Sequence, residues 1–161
     1  TSFKGFLYAG LMIVKDEPFL IEYNVRMGDP ECQTILPKLK TDFIDIVESC
    51  VNYNLESLKI NWYQEETICI VLCSKGYPDQ YENNSEINNL NKINLNENEF
   101  IFHAGTKSYK SKIFSNGGRV LNFVIRSKDL KQARDRAIEL IYQLNWSNGF
   151  FRKDIGFKVI K

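Results

Sequence analysis

Glu22-Tyr23-Asn24-Val25-Arg26-Met27-Gly28-Asp29-Pro30-Glu31 is a stretch in which an alternating strand runs straight into the start of a helix. Side chains of an extended chain leave on opposite faces in turn, so Ile21, Tyr23 and Val25 share one side and Glu22, Asn24 and Arg26 the other. The first side is fit to pack. The second lines up a carboxylate, a carboxamide oxygen and a guanidinium. Gly28 supplies a turn, Asp29 suits a helix N-cap and Pro30 the first helical position. A short helix is therefore expected from 31 to about 36, ending near Pro37.

Those residue types suggest a chemistry. Mg²⁺ takes hard oxygen ligands, one or two from protein and the rest from phosphates and water, a role that suits Glu22 and Asn24. Arg26, one step along, has the bidentate fork that clamps a phosphate or acyl phosphate. Alternation alone is explained as well by the solvated outer face of an edge strand. The continuation favours a site, because Asp29 and Glu31 add two carboxylates and a helix start offers backbone N–H groups to an anion.

Working outward, residues 6–14 and 18–26 are two apolar-rich runs around Lys15-Asp16-Glu17, which reads as an antiparallel hairpin. No carboxylate lies within 6–14, so any extra acidic metal ligand is missing from the first strand. Thr41 suits the cap of a second helix, with Phe43, Ile44, Val47, Cys50 and Val51 at helical spacing. Residues 52–66 read as a boundary. A second unit then opens with a strand at 67–73 and a turn at Lys75-Gly76-Tyr77-Pro78. The asparagine-rich stretch 82–99 reads as surface loop. Strands are expected at 100–104, 112–115 and 119–127, with a Gly117-Gly118 turn. A helix over about 128–144 presents Leu130, Ala133, Ala137, Leu140, Ile141 and Leu144 on one side, and a last strand covers 150–152. The fold class is α+β, an antiparallel hairpin with helices over 1–54 and a small mixed α/β domain over 55–161.

The 161 residues carry 21 basic and 20 acidic side chains, a balance without the basic excess of a nucleic-acid-binding surface. Lys107, Lys110 and Lys112 read as a solvated hairpin loop. There is no apolar run of membrane-spanning length and no signal segment, so no membrane partner is expected and the location is read as cytoplasmic. Cys32, Cys50, Cys69 and Cys73 include no C-x-x-C pair and accompany a single histidine. Zinc is not expected, and Cys69 and Cys73 read as apolar fillers on one strand face. His103 reads as a packing or backbone-bonding residue in preference to a general base. Gly105-Thr106 and Gly117-Gly118 read as turns needing no ligand, and Lys107 and Arg119 are left without a role. The opening at Thr1, which leads within a few residues into an apolar strand, reads as the middle of a larger fold.

Glu22-x-Asn24 on the last strand of a hairpin resembles the metal-binding strand of the ATP-grasp enzymes. With Gly28-Asp29-Pro30-Glu31-Cys32-Gln33 following, it looks like the phosphoribosylamine–glycine ligase (glycinamide ribonucleotide synthetase) branch. Leu7-Tyr8-Ala9-Gly10-Leu11-Met12, Lys75-Gly76-Tyr77-Pro78, Phe102-His103-Ala104-Gly105-Thr106, Asn116-Gly117-Gly118-Arg119-Val120-Leu121 and Phe151-Arg152-Lys153-Asp154-Ile155-Gly156 extend the likeness along nearly the whole chain. Val25 and Met27 depart mildly from the family, at positions of packing. The resemblance implies purine biosynthesis: ligation of glycine to 5-phosphoribosylamine at the cost of ATP, through an acyl phosphate, with Mg²⁺ or Mn²⁺. It implies Glu22 and Asn24 as metal ligands, Arg26 as the catalytic group on the acyl phosphate, and Asp29 and Glu31 as binders of the substrate amine or ribose hydroxyls. A cap-only role for Asp29 stands beside that. The partners implied are ATP, glycine, 5-phosphoribosylamine and an upstream part of the same polypeptide, without which the chain is expected to be inactive. Another ATP-grasp carboxylate–amine ligase and a non-catalytic C-terminal scaffold stay open as alternatives.

Overall fold

Lys15 and Asp16 both take positive φ (52° and 65°), the two-residue turn whose twist suits a hairpin, and join β1 (Tyr8–Val14) to β2 (Glu17–Asn24). Glu17 thus belongs to the strand and not to the turn. The computed structural model describes residues 3–160 and divides into two units, Thr1–Tyr63 and Gln64–Lys161. It is α+β, with antiparallel sheets and separate helices. Among the described residues no helix is long and apolar enough to cross a membrane.

In the first unit the hairpin is followed by α1 (Glu31–Ile35), a 3₁₀ turn at Leu36–Lys38 carrying Pro37, and α2 (Phe43–Val51). The cap of α2 differs from expectation. Asp42, not Thr41, caps α2, its carboxylate accepting from the Ile44 N–H at 2.8 Å. The Thr41 hydroxyl is taken by the Asn61 N–H at 2.7 Å. Residues 59–63 return beside 38–41 through that bond, Lys40 N–H to Asn61 O, Tyr63 N–H to Lys38 O and a bridge from Leu39 to Trp62. The expected packing face of β2 stays open, with Ile21 and Tyr23 both 62% exposed and Val25 71%. The hairpin is held by its backbone ladder and the bonds at its end.

The second unit is a four-stranded antiparallel sheet in the order β4-β7-β3-β8. Its strands are β3 (Glu66–Ser74), β4 (Glu99–His103), β7 (Arg119–Ser127) and β8 (Gly149–Phe150). A helix, α3 (Leu130–Gln143), lies on one face. Ile68, Ile70, Leu72, Phe123 and Ile125 meet Ala133, Ala137 and Leu140 there, all buried. Each large aliphatic side chain so removed from water contributes about 1.5–3 kcal/mol. The helix begins where Asp129 accepts from the Gln132 N–H at 2.7 Å. A separate hairpin, β5 (Thr106–Tyr109) and β6 (Lys112–Ser115), turns at Lys110 and Ser111, both at positive φ. The lysine cluster is thus part strand, part turn, and exposed.

The asparagine-rich stretch is more than surface loop. Ile87 and Glu99 within it are buried, Leu90 and Ile93 pack on the core, and a 3₁₀ turn spans Leu90–Lys92. Ile87 N–H donates to Ile113 O and the Trp146 indole N–H to the Ser85 hydroxyl, which ties the segment to β6 and to the chain beyond α3.

Candidate functional site

At the end of β2 the pairing slips between Gly10 and Leu11: Gly10 faces Glu22 and Leu11 faces Leu20, which leaves Ile21 as the extra residue of a bulge. Beyond it Tyr8 stands opposite Asn24. Gly10 is the glycine this arrangement requires. A Cβ there would lie 3.2 Å from the Glu22 Cγ and 3.5 Å from the Tyr8 ring, so both side chains occupy the space over that residue. The Asn24 amide donates to Glu22 Oε1 at 2.9 Å. Glu22 and Asn24 therefore share a face, as alternation predicts. Among the described residues no group donates a hydrogen bond to Asn24 Oδ1 or to Glu22 Oε2. Two hard oxygens held side by side and open to solvent fit the protein share of a Mg²⁺ or Mn²⁺ shell. Among the described residues no group of three or more His, Cys, Asp and Glu side chains is placed to hold a metal ion.

Arg26 departs from the expected row. The strand stops at Asn24, and Val25 and Arg26 form a bend. The Arg26 guanidinium is exposed and donates to the carbonyl of its neighbour Met27 at 3.0 Å. Alternation no longer governs its direction once the ladder has ended.

Asp29 does not cap α1. The N-cap is Pro30, with no side-chain bond, and the Asp29–Pro30 peptide is cis. Asp29 Oδ1 instead accepts from the Gln33 amide at 3.1 Å, while Gln33 Oε1 is buried without a donor. The anion-binding helix start is also not realised. Cys32 N–H is taken by Gly28 O and Gln33 N–H by Pro30 O, and the helix is only five residues long.

Glu31 is the better-placed second carboxylate. Its Oε1 accepts from the Tyr8 hydroxyl at 3.0 Å, and its Oε2 lies 1.7 Å from where a Cβ on Gly28 would stand. The bond to Glu31 and that group's charge hold the Tyr8 hydroxyl above the ordinary tyrosine range, with smaller contributions from desolvation and from Glu22. Tyr8 joins this group of side chains, a residue to which the alternation along β2 does not point. Its signal was the register: one residue of the first strand had to face Asn24.

In the second unit His103 is exposed, its Nδ1 2.8 Å from the Thr106 hydroxyl, so the packing role expected of it is not what it does. Gly105 and Gly117 are a close backbone approach and not free turns. A Cβ on Gly105 would meet Arg119 O at 2.7 Å and Gly117 Cα at 2.8 Å. Gly105 N–H donates to Arg119 O and Asn116 N–H to Gly105 O, which fixes the start of β7. Lys107 is exposed on β5. Cys69 and Cys73 are buried on β3, and burial raises the Cys73 thiol above its ordinary range, with Arg119 pulling the other way.

Comparison with known proteins gives a consistent result. The pattern described as phosphoribosylglycinamide synthetase, C domain, matches residues 67–158, and that described as its ATP-grasp (A) domain matches residues 1–32. A phosphoribosylamine–glycine ligase of Fusobacterium nucleatum is 39% identical over 96% of this chain and 37% of its own length. One of Caldanaerobacter subterraneus is 41% identical over 95% of this chain and 36% of its own. The crystal structure of the phosphoribosylamine–glycine ligase of Thermotoga maritima is similar with a TM-score of 0.74 at 32% identity, covering 92% of this chain and 36% of that one. The chain thus spans little more than a third of the length of these relatives.

Proposed function

This chain belongs to the phosphoribosylglycinamide synthetase family, and from that premise we propose that it serves as the C-terminal part of an ATP-dependent phosphoribosylamine–glycine ligase. Residues 1–54 supply the end of its ATP-grasp domain and 55–161 its C-terminal domain. The observation that carries this reading is the Glu22–Asn24 pair, bonded side by side at the end of β2 and followed at once by Gly28-Asp29-Pro30-Glu31.

A glycine carboxylate is a poor electrophile. In the proposed reaction its oxygen attacks the γ-phosphorus of ATP, ADP leaves, and glycyl phosphate forms. The amine of 5-phosphoribosylamine then attacks the carbonyl carbon, inorganic phosphate leaves, and the nitrogen loses a proton to give glycinamide ribonucleotide. Glu22 and Asn24 would hold Mg²⁺ or Mn²⁺ through their side-chain oxygens, and the cation would supply the charge that neutralises the triphosphate. Arg26 swings from its bond to Met27 O, an exposed and weak tether, onto the acyl phosphate. Glu31, with Asp29 beside it, accepts hydrogen bonds from the amine or ribose hydroxyls of the acceptor. The same reading places the enzyme in the cytoplasm, which keeps its four free thiols reduced.

The test is ADP release by the full-length polypeptide, with ATP and Mg²⁺, against a panel of amino acids and amines. Release dependent on glycine and phosphoribosylamine together is expected. Equal release with another acid–amine pair would make it a different carboxylate–amine ligase, and no release with any pair would leave a scaffold.

A further inference from the structure

The Glu31 carboxylate lies on a flexible stem of two methylenes in the first turn of a five-residue helix. Such a side chain samples several rotamers unless something selects one, and ordering it costs free energy each time a substrate binds. Two features select it here. The Tyr8 hydroxyl, 23 residues earlier and on β1, donates to Oε1 at 3.0 Å. Gly28 leaves the space into which Oε2 folds, with the carboxylate carbon 2.6 Å and Oε2 1.7 Å from the missing Cβ. Tyr8 also faces Asn24 across the ladder and shares with Glu22 the room over Gly10. Its ring therefore spans from the Glu22–Asn24 pair to Glu31.

We infer that Tyr8 is a positioning residue: with the bare Cα of Gly28, it fixes the Glu31 carboxylate in one rotamer beside the Glu22–Asn24 pair, ready to accept from the amine or a hydroxyl of the acceptor substrate. The inference rests on the ligase reading above and adds to it a residue that touches neither substrate nor metal.

The test is steady-state kinetics of the full-length ligase carrying Tyr8→Phe, Gly28→Ala, Glu31→Gln, and Tyr8→Phe with Glu31→Gln together. Gly28 lies outside the positive-φ region, and the three atoms nearest its missing Cβ all belong to the Glu31 side chain, so alanine there displaces the carboxylate without straining the backbone. Each single variant should raise KM for phosphoribosylamine about tenfold, the size of one charge-assisted hydrogen bond. For Tyr8→Phe and Gly28→Ala, kcat and KM for ATP should stay within about twofold, and the melting temperature should hold. The double variant should be no worse than Glu31→Gln alone, because Tyr8 acts only through Glu31. If Glu31→Gln impairs phosphoribosylamine binding but Tyr8→Phe does not, or if the two penalties multiply, the positioning role is overturned while the site stands. If Glu31→Gln itself leaves KM unchanged, the assignment of Glu31 falls and the inference falls with it.

Discussion

Replacing Arg136 by methionine should destabilise the second unit far more than neutralising its partner by Glu99→Gln. The pair is lopsided. Arg136 donates to Glu99 through Nε at 2.8 Å and Nη2 at 3.3 Å, but the arginine side chain is 33% exposed and the glutamate side chain 3%. Arg136 also has a second partner, Glu139, at 2.9 Å. Glu99→Gln therefore leaves a guanidinium that keeps water and a counter-charge, and it should cost about 1 kcal/mol, one net hydrogen bond. Arg136→Met leaves a carboxylate shut away from water, which costs about 3–5 kcal/mol for a buried pair broken on one side. The lower end applies, because Asn96 still donates to Glu99 through its amide at 2.8 Å and its backbone at 3.2 Å. For a unit of roughly a hundred residues, a loss near 3 kcal/mol lowers the melting temperature by about 12–24 °C. Trp146 is buried in this unit and reports its unfolding, with exposed Trp62 replaced by phenylalanine to silence the other. Equal losses for the two variants, or a larger one for Glu99→Gln, would refute the burial asymmetry on which this rests.

Tyr8 should titrate above 10.0, followed by its ultraviolet difference spectrum, and should move back down in Glu31→Gln. Because the protonated form is the one the fold favours, the associated stabilisation is complete below the ordinary tyrosine value and fades as pH rises through the raised one; a Tyr8 titration indifferent to Glu31 would contradict the bond. Gly118→Ala would bring a Cβ within 2.1 Å of the Tyr77 ring beside the Ser74–Gly118 backbone bond, and should cost about 1–3 kcal/mol by urea unfolding. Tyr77→Leu should recover part of that loss, and simple additivity of the two would argue against the contact. Asp129→Ala removes the cap of α3 and should cost about 1 kcal/mol in the same assay.

Much of this was legible because it follows from periodicity. Ala133, Ala137, Leu140 and Ile141 recur at helical spacing and form the buried face of α3, and the alternation in β3 puts Ile68, Ile70 and Leu72 into the same core. Glu22 and Asn24 were found together because a two-residue spacing survives the bulge one residue earlier. For Arg26 the same argument lapses, because periodicity holds only while the ladder lasts and the ladder stops at Asn24. Cap choice between adjacent Thr41 and Asp42 turned on Asn61, 20 residues away in sequence. Ile87 and Glu99 sat in a polar, repetitive stretch whose composition says surface. Their burial depends on β6, α3 and the segment beyond α3, which no local window contains. Tyr8 belongs with these, since its role is written in the strand register and in the space left by two glycines.

The role proposed for Glu22 and Asn24 is to hold the divalent cation for a glycine-dependent ligation. Glycine- and phosphoribosylamine-dependent ADP release by the full-length polypeptide, with and without Glu22→Ala at ordinary Mg²⁺, tests it most directly. Glu22 is exposed and among the described residues its side chain bonds only Asn24, so alanine there should leave the fold and melting temperature intact while abolishing the release. Normal turnover by that variant would contradict the account.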